Sequence, residues 1–212
     1  MPFIQQPTQI DAKPVFYTIT SRSPHIGVSF VTQKWAEELA NQNKKVLIFD
    51  ALLGLQNFPH HNPNANKILS VLNGWRPLID LVIPFKKKID LITGVASQNI
   101  NALSLCNQQR LLNELQTLAV HYDVIFIDCP AAVTSSVFCT LGTPVWVSTT
   151  NQEILIKTLR ALSVSSPQYL ILNQVKNEAQ YNECSLLVKN FLPNCQIIKF
   201  FKETTPKNLT FL

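Results

Sequence analysis

Two rhythms of apolar residues alternate along this chain. Short, continuously apolar runs read as buried strands: Val15 to Thr20, Lys44 to Asp50, Ile89 to Thr93, Tyr122 to Asp128, Thr143 to Thr149, Gln168 to Asn173 and Cys195 to Phe200. Between them the spacing changes to that of helices. Val31, Trp35 and Leu39 stand four apart in the run Phe30 to Ala40 and share one face. The same reasoning predicts helices over Asn66 to Leu72, Leu105 to Val120, Gln152 to Leu162 and Glu178 to Phe191. Asn73-Gly74 stops the first of these. Pro77 to Ile83 reads as one or two helical turns ended by Pro84. Buried strands separated by helices predict an α/β fold, with a mostly parallel central sheet and helices on both faces. Residues 1–14 hold three prolines and read as a flexible arm; residues 15–212 read as one domain.

In such sheets ligands lie beyond the carboxyl ends of the strands. Those ends carry the loop Ser21 to Ser29, Asp50, Asp128 and Asn173. A loop between a strand and a helix N-terminus is a phosphate-type site, because unpaired N–H groups and the helix dipole point there.

Composition narrows the picture only modestly. Apolar residues are 46% of the 212 and charged ones 15%, which fits a packed chain rather than a disordered one. The formal charge of +5 comes from scattered lysines apart from Lys86-Lys87-Lys88, so no nucleic-acid partner is expected. That lysine run reads as a solvated turn ahead of a site for acidic partners. Cys106, Cys129, Cys139, Cys184 and Cys195 form no C-x-x-C pair and read as buried free thiols, with a cytoplasmic location expected. The first residues lack the cationic and apolar regions of a signal peptide, and no apolar run is long enough to span a bilayer. His60 and His61 have no nearby ligand set, so no metal site is expected there.

The order of motifs resembles the MinD/ParA group of deviant-Walker P-loop ATPases, and within it the FlhG (FleN) and MinD branch. Ile48-Phe-Asp-Ala-Leu-Leu-Gly-Leu-Gln-Asn57 is similar to the group's D-A-D-L-G-L-x-N. Ile68-Leu-Ser-Val-Leu-Asn-Gly74 resembles L-x-x-V-L-x-G, and Asp123 to Ala132 resembles the Walker B and switch II segment. Leu170-Ile-Leu-Asn-Gln-Val175 resembles the strand whose asparagine contacts adenine. The likeness implies the P-loop NTPase fold from Val15 to the end of the chain.

The departures fall on the chemistry. The group's S-G-K-G-G-V-G-K-T is Ser21-Arg-Ser-Pro-His-Ile-Gly-Val-Ser29 here. Ser23 replaces the signature lysine and Val28 the Walker lysine. Pro24 and His25 replace glycines, Leu52 replaces the aspartate used near the attacking water, and Ala132 replaces the switch II glycine. Proline lacks an N–H, and histidine is a poor occupant of φ > 0 beside glycine. Removing one partner of a buried charge pair costs on the order of 2–5 kcal/mol, roughly 30- to 5000-fold in affinity. Phosphoryl transfer rests almost wholly on positioned charge.

What the resemblance implies is therefore reduced to a remnant. Gly27, Ser29 and Asn173 would be the nucleotide-binding remnant, with Asp50 and Asp128 as a remnant Mg²⁺ site. Asn173 reads equally as an adenine contact or an ordinary strand-end residue, and helix capping is favoured for the two aspartates. Arg22 beside the loop supplies a charge without lysine geometry. No catalytic residue and no cofactor are expected: the chain reads as a pseudo-ATPase. It would act through protein contacts in placing or numbering a cell-surface machine such as the flagellum. The family's homodimer forms across the nucleotide face with the lysine that is Ser23 here. A membrane-targeting amphipathic helix is not expected after Thr204 to Leu212. The second reading is a working switch that binds and hydrolyses ATP with Mg²⁺ through an atypical loop.

Overall fold

The computed structural model describes residues 14–51, 67–93, 105–129, 141–163 and 167–201. Eight strands form one sheet in the order β3-β4-β2-β5-β1-β6-β7-β8. They are β1 (Val15–Ser21), β2 (Val46–Asp50), β3 (Ile83–Lys86), β4 (Ile89–Thr93), β5 (Val124–Asp128), β6 (Thr143–Thr149), β7 (Tyr169–Val175) and β8 (Gln196–Phe201). All neighbours pair in parallel except β3 and β4. The helices are α1 (Val28–Asn41), α2 (Lys67–Leu72), α3 (Leu105–Ala119), α4 (Gln152–Leu162) and α5 (Glu178–Phe191).

Strand alternation assigns the faces. Ile19, Ile48, Phe126 and Val147 turn one way and pack with Val31, Trp35 and Ala36 of α1. Their neighbours Leu47, Ile125 and Ile127 turn the other way, onto α2 and α3. Trp146, Leu170 and Leu172 join that side under α4 and α5. Trp35 is the anchor of α1. Its ring centroid lies 4.9 Å from that of Tyr17 and 4.8 Å from that of Phe126, both tilted, which is a favoured aromatic arrangement. The start of α1, and so the loop before it, is thereby fixed against the middle strands.

One element differs from the expectation. Leu78–Leu81 is a single 3-10 turn, and the chain then enters a strand rather than ending at Pro84. β3 is an antiparallel edge strand, where a proline without an N–H is tolerated, and its register shifts between Pro84 and Lys86. Lys88 takes φ 61 to close the hairpin. The lysine run is therefore not simply solvated. Lys86 pairs with Glu37 of α1, and Lys88 donates to the carbonyl and side-chain oxygens of Asn43. Of the cysteines, Cys129, Cys184 and Cys195 are buried as expected, whereas Cys106 is exposed; Cys139 lies outside the described residues.

Glu37 ties α1 to this edge. Burial opposes its charge, but hydrogen bonds from Lys86, Lys34 and Gln33 outweigh burial and lower its pKa to about 2. A lowered carboxylate pKa adds stability that is complete above the ordinary value and is lost as the pH falls toward 2. Both lysines are partly exposed, so solvent reduces the effect. Glu37→Gln is expected to cost about 1–2 kcal/mol at pH 7. Urea unfolding should show the difference shrinking between pH 5 and pH 3; a constant difference counts against the ion pairs as its source.

Candidate functional site

β1 lies between β5 and β6, and the loop that leaves it enters α1 directly. Parallel pairing aligns Ile19 with Asp128, and Asp50 with Asp128. On the other side, Thr149 aligns with Asn173. Gly27, Ser29, Asp50, Asp128 and Asn173 thus gather at one end of the sheet, on the α1 side. The strand ends converge as the sequence suggested. Leu52, Ala132, His60 and His61 lie outside the described residues.

The loop keeps a left-handed bend at two positions. Gly27 is the N-cap of α1 at φ 88, and His25 stands at φ 58. The expected aversion of His25 to positive φ is not seen. Histidine is among the side chains enriched in that region, and here its ring is exposed, away from crowding. The Ser21 hydroxyl donates to the Ser23 carbonyl at 2.8 Å and tightens the turn from within. No side chain caps α1, and no acidic residue sits in its first turn. Its leading N–H groups consequently lack intrahelical partners.

The charges of the loop are not where a polyphosphate needs them. Val28, which the resemblance sets at a lysine position, packs partly buried against the α1-side core. Arg22 does not turn into the loop. Its guanidinium carbon lies 5.2 Å from the centroid of Trp146, a cation–π stack, and its Nε is buried without a hydrogen bond. No property of the sequence near Arg22 announces this partner, which is on β6.

Asp128 is strongly perturbed. It is fully buried, and neither carboxylate oxygen has a hydrogen-bond partner. Burial pushes its pKa up to about 8; the nearby Ser29 hydroxyl opposes the rise without reaching full hydrogen-bond geometry, and the Asp50 charge adds to it. Helix capping, the favoured reading for Asp128, does not describe this carboxylate, because it accepts from no backbone N–H. Two carboxylates and a hydroxyl are hard oxygen donors of the kind Mg²⁺ takes, so the metal side of the site fits in donor type. The phosphate side does not: a triphosphate would meet Val28, Pro24 and a stacked Arg22. Among the described residues no cluster of three or more His, Cys, Asp or Glu side chains forms a metal site.

Asn173 is bound to the loop rather than open to solvent. Its Nδ2 donates to the Ile26 carbonyl at 2.8 Å, and its Oδ1 accepts from the Gln174 N–H at 2.9 Å. A side chain at position 27 would put its Cβ 2.6 Å from that Nδ2, so only glycine admits this approach.

No protein-family model matches the chain. A septum site-determining protein MinD of Guillardia theta is 30% identical over 129 residues, covering 58% of this chain and 47% of the relative. The chain spans about half the length of the curated relatives it matches. A plasmid partition protein of Borrelia burgdorferi, solved with AMPPNP, superposes with a TM-score of 0.71 at 19% identity, covering 94% of this chain and 93% of that one. A chain of the MinC:MinD cell division protein complex of Aquifex aeolicus gives 0.65 at 20% identity, covering 89% and 82%. These structures establish the fold, that of MinD/ParA P-loop NTPases.

Proposed function

We propose that this chain is a MinD/ParA-type protein that no longer hydrolyses ATP and acts through protein contacts as a regulator of placement, in division or partition. Septum-site and partition names among its relatives support the placement role. The complex with MinC, a property of the Aquifex neighbour, supports a protein partner as its output. A flagellar role rests on the Gly54-Leu-Gln-Asn57 and Val71-Leu-Asn-Gly74 likenesses. Cytoplasmic residence belongs to the same proposal; no helix among the described residues is long and apolar enough to cross a membrane.

One observation carries the loss of catalysis: the loop has no cation facing the site. Ser23 and Val28 stand at both lysine positions, and Arg22 is stacked on Trp146. Without those charges the triphosphate is neither held nor neutralised as charge develops on it.

Isothermal titration with ATP and Mg²⁺, paired with a malachite-green phosphate assay, tests this. The expected result is no saturating heat at micromolar nucleotide, and phosphate release no higher in the protein than in its Asp128→Ala variant. Saturation at micromolar ATP with turnover lost in Asp128→Ala would establish the opposite reading, an active switch with an unusual loop. The retained bends at His25 and Gly27 are what that reading has in its favour.

A further inference from the structure

We infer that Asn173 is a positioning residue, a latch by which the chain itself holds the loop before α1 in its bent form. Three independent features converge on it. First, the amide is engaged on both sides, reaching 147 positions back along the chain to the Ile26 carbonyl and accepting from the next N–H. Second, Gly27 comes so near that the latch and any Cβ at position 27 exclude each other. Third, β7 is deformed where Asn173 sits. Its register against β8 shifts between Leu172 and Val175, and Gln174 takes φ 60. A bulge re-aims a side chain, and a non-glycine residue at positive φ is held only when its surroundings over-determine it. Alternation in register with Thr149 already places Asn173 on the loop side, and the bulge that follows lets the Gln174 N–H donate to its Oδ1. Ile26, the residue it grips, is buried, so the hydrogen bond is shielded from water and stronger for it.

The consequence is a loop that stays folded by an internal contact, in one conformation, independent of a bound phosphate. This deepens the reading of the chain as a non-hydrolysing scaffold and rests on it only for the claim that nucleotide is dispensable.

Native-state trypsin cleavage tests the latch. Arg22 is the sole lysine or arginine between Lys13 and Lys34, so cutting after it reports local opening of this loop. The Lys87-Lys88 turn is the internal control. Loss of one shielded hydrogen bond should raise the opening population, and with it cleavage at Arg22, by about tenfold in Asn173→Ala, with the control site unchanged. Asn173→Leu keeps the size, has neither donor nor acceptor and should behave as Asn173→Ala does; it carries the test alone if the alanine variant does not fold. Gly27→Ala attacks the same contact from the other side; adding it to Asn173→Ala should give less than the product of the two effects, because the clash with Asn173 is then gone and only the strain of an alanine at φ 88 remains. Unchanged cleavage at Arg22, or equal acceleration at both sites, overturns the latch. Protection of Arg22 in the unaltered protein by ATP with Mg²⁺ would overturn the claim that nucleotide is dispensable instead, and leave the latch standing.

Discussion

Asp128→Asn is expected to stabilise the protein at pH 8, and the gain should vanish toward pH 4. The sign follows from the site. A buried carboxyl whose pKa is raised to about 8 keeps a proton in the folded state that the unfolded chain has already released. Stability of the unaltered protein therefore falls as the pH rises from about 4 to about 8, by up to about 1.4 kcal/mol per pH unit, and is level above that. The full span would be on the order of 5 kcal/mol, a ceiling that solvent entry and relaxation reduce. Even half of it would shift Tm by roughly 5–10 °C in a chain of this size. Asparagine has the shape of the protonated acid and no charge, so the variant should lack the slope. Urea unfolding in EDTA at pH 4 to 8, which removes competing cations, should give curves that meet near pH 4 and diverge upward. A flat profile for the unaltered protein, or a destabilised variant at pH 8, would show that Asp128 is compensated by groups other than Ser29 and Asp50.

That same carboxylate shows where sequence reading succeeds and where it stops. Periodicity located the core strands and most helices, because apolar runs and four-residue spacing are local properties of the chain. It also brought Asp50, Asp128, Asn173 and the loop to one sheet end, since parallel strands place their carboxyl ends together. It did not find β3. Pro84 and three lysines suppress the strand pattern, and only the neighbouring β4 makes that edge a strand. It also did not find what the site residues touch. Arg22 on Trp146 and Asn173 on Ile26 are contacts between segments more than a hundred residues apart, with no trace in local spacing. His25 shows a third limit: a left-handed bend reads as glycine, yet an exposed histidine adopts it.

On the proposed reading, the Ser23→Lys, Val28→Lys double variant should bind ATP with Mg²⁺ at least about 30-fold more tightly than the unaltered protein. The loop still makes its bends at His25 and Gly27, and the oxygen donors remain, Asp50 and Asp128 at strand ends and Ser29 in the first turn of α1. What is missing is charge. Restoring a single buried partner is worth roughly 30-fold in affinity at the low end of the usual range, and two cations on one triphosphate exceed that without adding fully. Val28 lies at the edge of the core, so a lysine stem can follow its path while the ammonium reaches the loop. Arg22→Ala should leave binding unaltered in either background, because that guanidinium is committed to Trp146. No turnover is expected in the double variant, since Leu52 remains where the resembling D-A-D motif has its second aspartate. Titration calorimetry separates the outcomes. Binding without hydrolysis would locate the defect in the two side chains. No binding would place it in the backbone, at the N–H that Pro24 lacks, and the retained bends would then count for less than the missing donor.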